Sequence, residues 1–250
     1  MAGKESGSFF YKKAIKDYFA EFFMLFAAVT LGFFAENLRE EYAERKLERQ
    51  LMKSMVADLE HNEELLLSQK ASLNSRRIAC DSLSYFFNQK DLKLYGSELY
   101  MYARRLGYYA GEYPLSSRSL DQLKNSGLFS IISQDVVADS LSNYDNLKTE
   151  YEQRIKWYFE DVKKVQDVNK LVFDSRVFEK ATIYTDEFTF KILRPEGNPL
   201  LMTYDPVELQ KYYNTFYYLR RNTETQLRNV ADLIESTTEL KKLIIQEYNF

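Results

Sequence analysis

The stretch FFMLFAAVTLGFFA, residues 22–35, decides how the rest of the chain is arranged. It has 14 consecutive residues without a charge, and extending it back to Tyr18 gives 18 residues with one acid, Glu21. A hydrocarbon core about 30 Å thick needs about 20 residues of helix, and interfacial aromatic residues extend short spans. We therefore predict a transmembrane helix at residues 18–36, behind an N-terminal tail at residues 1–17.

Two other structures would also place an apolar stretch near the N-terminus. A secretory signal peptide needs small residues before its cleavage site, and Phe33 and Phe34 occupy that region here. A helix buried in a soluble core would have to be apolar on every face, which a surface helix of a small domain is not. Both alternatives fit the sequence less well than a span, and both stay open at this stage.

Basic residues flank the apolar stretch on both sides. Four lysines precede it and four basic residues follow it, so the positive-inside rule barely discriminates between the two orientations. Lys12, Lys13 and Lys16 form a tight cluster that is nearly free of acids. We therefore expect a single-pass protein of the inner membrane, with its N-terminus in the cytoplasm and its large domain in the periplasm.

Residues 37–250 carry the periodic pattern of a helix-rich soluble domain. Apolar residues recur every four positions from Leu47 to Leu59, which predicts one apolar stripe on a helix. Neither Pro nor Gly interrupts residues 33–95, so we expect the helix to continue out of the membrane as a stalk. A sustained heptad is not visible, which disfavours a coiled coil.

Start and stop signals predict further helices along the chain. Ser119 and Gln122 fit a capping box, and Gly127 fits the glycine that follows a helix. Ser133 is expected to begin the next helix, which should run, in one or two pieces, to about residue 173.

A different pattern occupies residues 182–204, where β-branched and aromatic residues predict a small hairpin or an irregular excursion. Asp205 followed by Pro206 then predicts the start of a last helix that runs to about Glu247. The predicted fold class is mainly α. It comprises one transmembrane helix, a long helical stalk and a domain like a helical bundle with a small β excursion.

Two stretches resemble a known group of proteins. They are GFFAENLREEYAERKLERQLMKSMVADLEHN at residues 32–62 and SLDQLKNSGLFSIISQDVVADSLSNYDNLKTEY at residues 119–151. Together they are similar to an uncharacterised family of Gram-negative bacterial, single-span, membrane-anchored helical proteins, a domain of unknown function. The resemblance covers about half of the chain. It implies an anchor and a helical domain, and it implies no activity.

Composition gives little reason to expect chemistry or nucleic acid binding. The chain has 34 basic and 37 acidic residues, and a net charge of -3 does not favour nucleic acid as a partner. His61 is the only histidine and Cys80 the only cysteine, too few for a di-iron, zinc or dyad site. We predict no catalytic, cofactor-binding or metal-ligating residue, and no enzyme.

Three adjacent arginine pairs could bind an anionic ligand, although surface charge is the favoured interpretation. They are Arg76 with Arg77, Arg104 with Arg105, and Arg220 with Arg221.

Two features are candidate functional sites. Glu21 would be an ionisable group inside or at the edge of the span, which marks a functional carboxyl unless the headgroups solvate it. A dense group of tyrosines is the candidate partner interface, because amphipathic aromatic residues suit such surfaces. Its members are Tyr95, Tyr100, Tyr102, Tyr108, Tyr109 and Tyr113.

The leading hypothesis is a membrane-anchored interaction or scaffold protein of the bacterial cell envelope. Its partners would be the lipid bilayer together with another protein or further copies of itself. A single-span sensor that binds a small ligand is the first alternative. An ion-coupled membrane subunit that uses Glu21 is the second.

Overall fold

The computed structural model describes the backbone of residues 6–107, 114–185 and 190–250, and the side chains from residue 18 onward within those ranges. Within these ranges the chain is mainly helical, as predicted, with one small sheet. The elements are α1 (Ser6–Phe87), α2 (Gly96–Leu106), α3 (Arg118–Asn125), α4 (Asp135–Val172), α5 (Ser175–Lys180), β1 (Thr182–Tyr184), β2 (Phe190–Ile192) and α6 (Pro206–Tyr248). Short 3-10 turns lie at Leu92–Leu94 and Leu128–Ile131.

Helix α1 is one unbroken helix of 82 residues. At 1.5 Å per residue it is about 120 Å long. The prediction that the helix would continue through residues 33–87 is confirmed, because no Pro or Gly interrupts it there. The described side chains of residues 18–46 are exposed apart from half-buried Ala27, and the buried core positions of α1 begin at Glu48.

The core is built from α1, α4 and α6, and α6 packs along both of the others. Hydrogen bonds between side chains of different helices show the relative directions of the three helices. Asn62 and Arg76 of α1 bond to Tyr144 and Tyr158 of α4, so these two helices are parallel. Glu63 of α1 accepts hydrogen bonds from Thr238 and Lys241 near the end of α6, and Asp81 near the end of α1 accepts one from Arg220, nearer the start of α6. Helix α6 therefore runs antiparallel to both.

A few buried residues of the three long helices lie outside a strict heptad: Leu51, Asp58, Ala79, Phe159 and Tyr248. The other buried positions follow a heptad spacing, with alternating steps of three and four residues. In α1 they are Glu48, Met52, Met55, Leu59, Asn62, Leu66, Gln69, Leu73, Arg76, Cys80 and Leu83. In α4 they are Val137, Leu141, Tyr144, Lys148, Tyr151, Ile155, Tyr158, Val162, Val165, Asn169 and Val172. In α6 they are Tyr212, Phe216, Leu219, Thr223, Gln226, Val230, Leu233, Thr237, Leu240 and Ile244.

The expectation that no heptad is sustained is therefore wrong. Polar residues such as Asn62, Gln69 and Arg76 occupy core positions of α1, so an apolar heptad cannot be recognised in the sequence. The interpretation of Arg76 as surface charge is also wrong. Its guanidinium is buried and donates to the hydroxyl of Tyr158, which in turn bonds to Thr223 of α6.

This polar layer joins the three helices at one level of the bundle. The two hydrogen bonds measure 2.7 Å from Arg76 Nη1 to Tyr158 and 3.1 Å from Tyr158 to the Thr223 hydroxyl. Burial raises the pKa of Tyr158, so its hydroxyl keeps its proton. A buried polar group that loses its partner costs free energy, and the layer therefore fixes the register of the helices.

Because α1 and α4 are parallel, the chain must return between them, and α2 and α3 carry it back. Helix α2 packs on α1 and α4, and α3 packs on α1. The result is an up-down-up-down bundle whose second limb is broken into two short helices.

Two side chains of α1, one turn apart, hold this return segment. The carboxylate of Asp58 accepts the backbone N–H of Ser119 at 2.9 Å and the hydroxyl of Ser116 at 2.9 Å. The amide of Asn62 accepts the N–H of Ser116 and donates to its carbonyl, at 2.6 and 2.9 Å. Burial raises the pKa of Asp58, but the bonds from Ser119 and Ser116 and the charge of Arg118 outweigh it and leave the pKa below its ordinary value.

The predicted capping box at Ser119 is wrong, because the N-cap of α3 is Ser117 and Ser119 lies buried inside the helix. Gly127 does follow the helix, with a left-handed φ of 70° that a residue without Cβ adopts readily. Helix α4 begins at Asp135 rather than Ser133, and it is a single piece.

The end of the bundle far from the apolar segment carries the predicted β excursion. Strands β1 and β2 pair antiparallel, with Ile183 opposite Lys191. The start predicted for the last helix is also confirmed. The side chain of Asp205 accepts the N–H groups of Val207 and Glu208 at 2.8 and 3.0 Å, with Pro206 at the first helical position.

Leu66 and Leu67 offer a matched test of the heptad core. Leu66 is fully buried and Leu67 is 52% exposed. Leu66→Ala should lower the free energy of unfolding by about 2–5 kcal/mol, because it leaves a cavity in a packed layer. Leu67→Ala should change it by less than about 1 kcal/mol. Urea unfolding of the detergent-solubilised chain, followed by circular dichroism, measures both, and equal losses would contradict this packing.

The carboxylate of Asp58 predicts a pH-dependent contribution to stability. Since its pKa is lower in the folded than in the unfolded state, the contribution is complete above the ordinary carboxyl pKa and is lost as the pH falls through the folded value. Asp58→Asn should cost about 1–2 kcal/mol at pH 6 and clearly less at pH 2.5. Exposed Asp139→Asn is the control for the urea titrations at each pH. A cost that is the same at both pH values would refute the role of the charge.

Candidate functional site

The apolar segment at residues 18–35 lies outside the bundle, and all of its side chains except half-buried Ala27 are exposed. Its large apolar residues are between 52% exposed, at Val29, and 72% exposed, at Tyr18 and Leu25. None of its most apolar 18-residue window, whose mean hydropathy is 1.8, is buried. A soluble monomer rarely exposes so large a continuous apolar surface.

Among the residues that the structure describes, this helix is the one long and apolar enough to cross a membrane. The alternative of a helix buried in this chain's own core is wrong, because none of that apolar window is buried. Glu21 is also exposed, near the N-terminal end of the segment. Its functional role stays a prediction.

A charged stretch at residues 36–46 separates the apolar segment from the bundle. Its side chains are all exposed, and they include an ion pair from Arg39 to Glu36 at 2.5 Å. Leu38 and Tyr42 are exposed apolar residues within it. At 1.5 Å per residue this stretch spans about 16 Å of helix.

The base of the bundle is joined by one buried carboxylate, that of Glu48 in α1. Its Oε1 accepts the N–H of Ser133 at 2.7 Å, the hydroxyl of Ser133 at 3.0 Å and the hydroxyl of Tyr248 at 2.5 Å. Ser133 lies two residues before the start of α4, and Tyr248 ends α6. One side chain therefore joins the three long helices at the point where α1 leaves the bundle.

Arg49 adds a second set of contacts to the end of α6. Its guanidinium donates to the carbonyls of Tyr248 and Asn249 at 2.5 and 3.2 Å. It also lies 4.9 Å from the ring centroid of Phe250. A cation favours the negative end of the helix dipole, so these contacts stabilise the C-terminus of α6 against α1.

The phenol of Tyr248 acts as a permanent donor to this junction. Burial raises its pKa, and the hydrogen bond to the Glu48 carboxylate raises the pKa further. Because the phenol keeps its proton, the bond to Glu48 persists across the physiological pH range.

The predicted tyrosine interface is corrected at one position. Tyr100 is fully buried, and its hydroxyl donates to the Leu200 carbonyl and accepts the N–H of Asp174, so it is a core residue. Tyr95 and Tyr102 are half-buried and pack on Phe86 at centroid distances of 5.2 and 6.1 Å. Three of the predicted members lie outside the described residues: Tyr108, Tyr109 and Tyr113.

The two residues considered for chemistry do not come together. His61 is exposed, whereas Cys80 is buried, donates weakly to the Phe216 carbonyl, and has a pKa that burial raises to about 12. Such a thiol is unreactive at neutral pH. Within the described part of the chain, no group of three or more His, Cys, Asp or Glu residues is arranged to hold a metal ion.

One arginine of each remaining pair makes a contact within the domain. Arg104 donates to the Thr182 hydroxyl, and Arg220 pairs with Asp81 at 2.5 Å. A groove of about 540 Å³ lies between α5 and the segment after β2, where Lys180, Arg194 and Glu196 line it. A ligand for this groove, as the sensor hypothesis requires, stays a prediction.

Sequence reasoning missed the junction at Glu48 entirely. Glu48 stands in a run of alternating charges, and neither Ser133 nor Tyr248 carries a local signal of burial. Asp58 and Asn62 could have been found, since they are spaced one helical turn apart on the apolar stripe that contains Leu59.

No family model, curated protein or solved structure matches this chain. The resemblance to a membrane-anchored bacterial family stays a prediction.

Tyr248→Phe tests the junction at the base of the bundle. Removing the hydroxyl takes one of three donors from a buried carboxylate, which should lower the free energy of unfolding by about 1–3 kcal/mol. Tyr218→Phe is the matched control in the same helix, because Tyr218 is 67% exposed. Urea unfolding measures both variants. If Tyr248→Phe is as stable as the control, the Glu48 bond contributes nothing to the junction.

Proposed function

We propose that this chain is a membrane-anchored interaction or scaffold protein of the bacterial cell envelope. One observation carries the proposal. The exposed apolar segment belongs to the same unbroken helix that forms the core of the bundle. A helix with this construction ties the folded domain rigidly to the bilayer.

The dimensions of the apolar segment support a membrane span. Residues 18–36 form about 28 Å of helix, close to the thickness of a hydrocarbon core of about 30 Å. Tyr18 at one end suits the interface between headgroups and acyl chains. The lysine cluster that precedes the segment supports a cytoplasmic N-terminus in the inner membrane, with the bundle in the periplasm.

The far end of the bundle supports an interaction role. Four apolar side chains are exposed where α1, α2 and α6 meet the loops: Leu94, Leu200, Met202 and Val207. The hydrogen bonds of Asn198 to Lys93 and Gly96 hold two of these loops together. Ordered apolar side chains at an exposed tip favour contact with another protein.

A pair of arginine variants tests the anchor. Phe26→Arg with Val29→Arg places two charges near the middle of the segment, which should disfavour insertion by about 5–7 kcal/mol. Glu40→Arg with Ala43→Arg places two arginines just beyond it and is the control. The wild type and the control should stay in carbonate-washed membranes, while the first variant should not. A wild-type chain in the soluble fraction would refute the anchor.

The same membranes test the interaction role. Tagged wild-type protein, solubilised in mild detergent, should co-purify with a partner protein or with further copies of itself, as determined by mass spectrometry and by its native mass. A monomer without a partner would refute the scaffold role. Protease accessibility of the bundle in spheroplasts determines which side of the membrane it occupies.

A further inference from the structure

We propose that two copies of this chain pair in parallel along the exposed part of α1, between residues 21 and 42. The inference rests on the proposed membrane anchor and deepens it, because it names the partner and the surface. Three independent features of α1 support it: a side of small residues, an exposed apolar continuation beyond the segment, and complementary flanking charges.

The phenylalanines of the apolar segment lie on one side of the helix, and the opposite side carries three of its alanines together with Met24 and Leu31. At 100° per residue, its six phenylalanines fall within an arc of about 120°. These are Phe19, Phe22, Phe23, Phe26, Phe33 and Phe34. The rings of Phe22 and Phe26 stack within this arc, with centroids 6.4 Å apart.

The opposite side of the segment carries Ala20, Met24, Ala28, Leu31 and Ala35, with Gly32 next to it. A Cβ added at Gly32 would meet nothing within 4 Å, so this side is open. Lipid chains surround a lone helix equally and give no reason to separate ring-bearing from small residues. Small residues at one side allow a second helix to approach closely, and dispersion contacts then hold the pair.

The small side continues beyond the apolar segment with the same spacing. Steps of three and four residues lead from Ala28 through Leu31 and Ala35 to Leu38 and Tyr42. Leu38 is 51% and Tyr42 is 72% exposed, in the charged stretch that follows the proposed span. A second copy of α1 would cover both the small residues and these two side chains in one continuous seam.

Charges that flank the seam suit a parallel pair. In a parallel two-stranded coiled coil, a residue beside the seam meets the residue five positions further on in its partner. Glu41 occupies the first of these positions and Lys46 the second. In a symmetric parallel dimer, the contact between Glu41 of one copy and Lys46 of the other would occur twice.

The other end of the seam supplies an environment for Glu21. It lies one step before Met24 in the same spacing. An ionisable side chain within a membrane segment generally faces protein rather than lipid, and the seam gives Glu21 such a position.

The bundle leaves this side of α1 accessible. Lys53 and Glu60 lie about three and five helical turns beyond Tyr42 on the same side, and both are exposed. The core positions Met52 and Leu59 point about 100° away from it. A partner helix can therefore lie along the seam without displacing α4 or α6.

Cysteine cross-linking in native membranes tests the seam. Leu38→Cys and Tyr42→Cys place a thiol on it, and Glu40→Cys places one on the opposite side as the matched control. Native Cys80 is buried and does not compete. Mild oxidation should give a disulfide-linked dimer at positions 38 and 42, at least about tenfold more than at position 40.

Two further sets of variants locate the contact. In the Leu38→Cys background, Ala28→Ile should lower the yield of cross-linked dimer several-fold by separating the helices, and Thr30→Ile, on the phenylalanine side, should leave it unchanged. Glu41→Lys should weaken pairing by about tenfold, since two attractive contacts become repulsive. Adding Lys46→Glu to that variant should restore the pairing.

The outcomes separate this inference from the anchor on which it rests. Equal cross-linking at positions 38 and 40, or no dimer from a chain that remains in washed membranes, would overturn the pairing and leave the anchor intact. A chain that is absent from washed membranes would overturn both. Selective cross-linking that Ala28→Ile abolishes and Thr30→Ile preserves would support the pairing.

Discussion

A common period of burial in α1, α4 and α6 is the constraint on which the rest of the structure depends. Because each helix presents its core residues at alternating steps of three and four, the layers coincide along the bundle. Polar core residues must then meet partners at the same level, as Arg76 meets Tyr158 and Thr223. Sliding α4 by a single layer would bring Arg76 to the level of Ile155 or Val162, and the unpaired polar groups would each cost free energy. The polar layers therefore select one alignment of the helices.

The parts of the fold that local chemistry determines could be predicted from the sequence. The start of α6 follows from Asp205 and Pro206, and the continuity of α1 follows from the absence of helix breakers. The bundle core could not be predicted in the same way. Asn62 and Gln69 stand where an apolar heptad would have leucine, and their burial becomes evident only when the other helices are in place. Ser119 also misleads, because its N–H is bonded by Asp58 of a distant helix rather than by a local cap.

The same distinction between local and long-range signals applies to the candidate site. The apolar segment and Glu21 are visible in the sequence because the signal there is continuous and local. The junction is invisible in it, because Glu48, Ser133 and Tyr248 meet only through the fold. Tyr100 is predicted to lie at a surface, because several other tyrosines are close to it in the sequence. In the structure its hydroxyl forms hydrogen bonds within the core. Density of a residue type along the chain is a weak guide to exposure when helices are amphipathic.

The unbroken course of α1 also determines how far the end of the bundle lies from the apolar segment. From residue 36 to its end at Phe87, the helix covers about 75–80 Å at 1.5 Å per residue. With the bundle anchored as proposed and α1 near the membrane normal, the small sheet and the apolar tip stand at that elevation above the bilayer. A stiff helix, held at its base by Glu48, keeps this elevation nearly constant. Any protein that binds the apolar tip would then have to present its contact surface at that distance from the membrane.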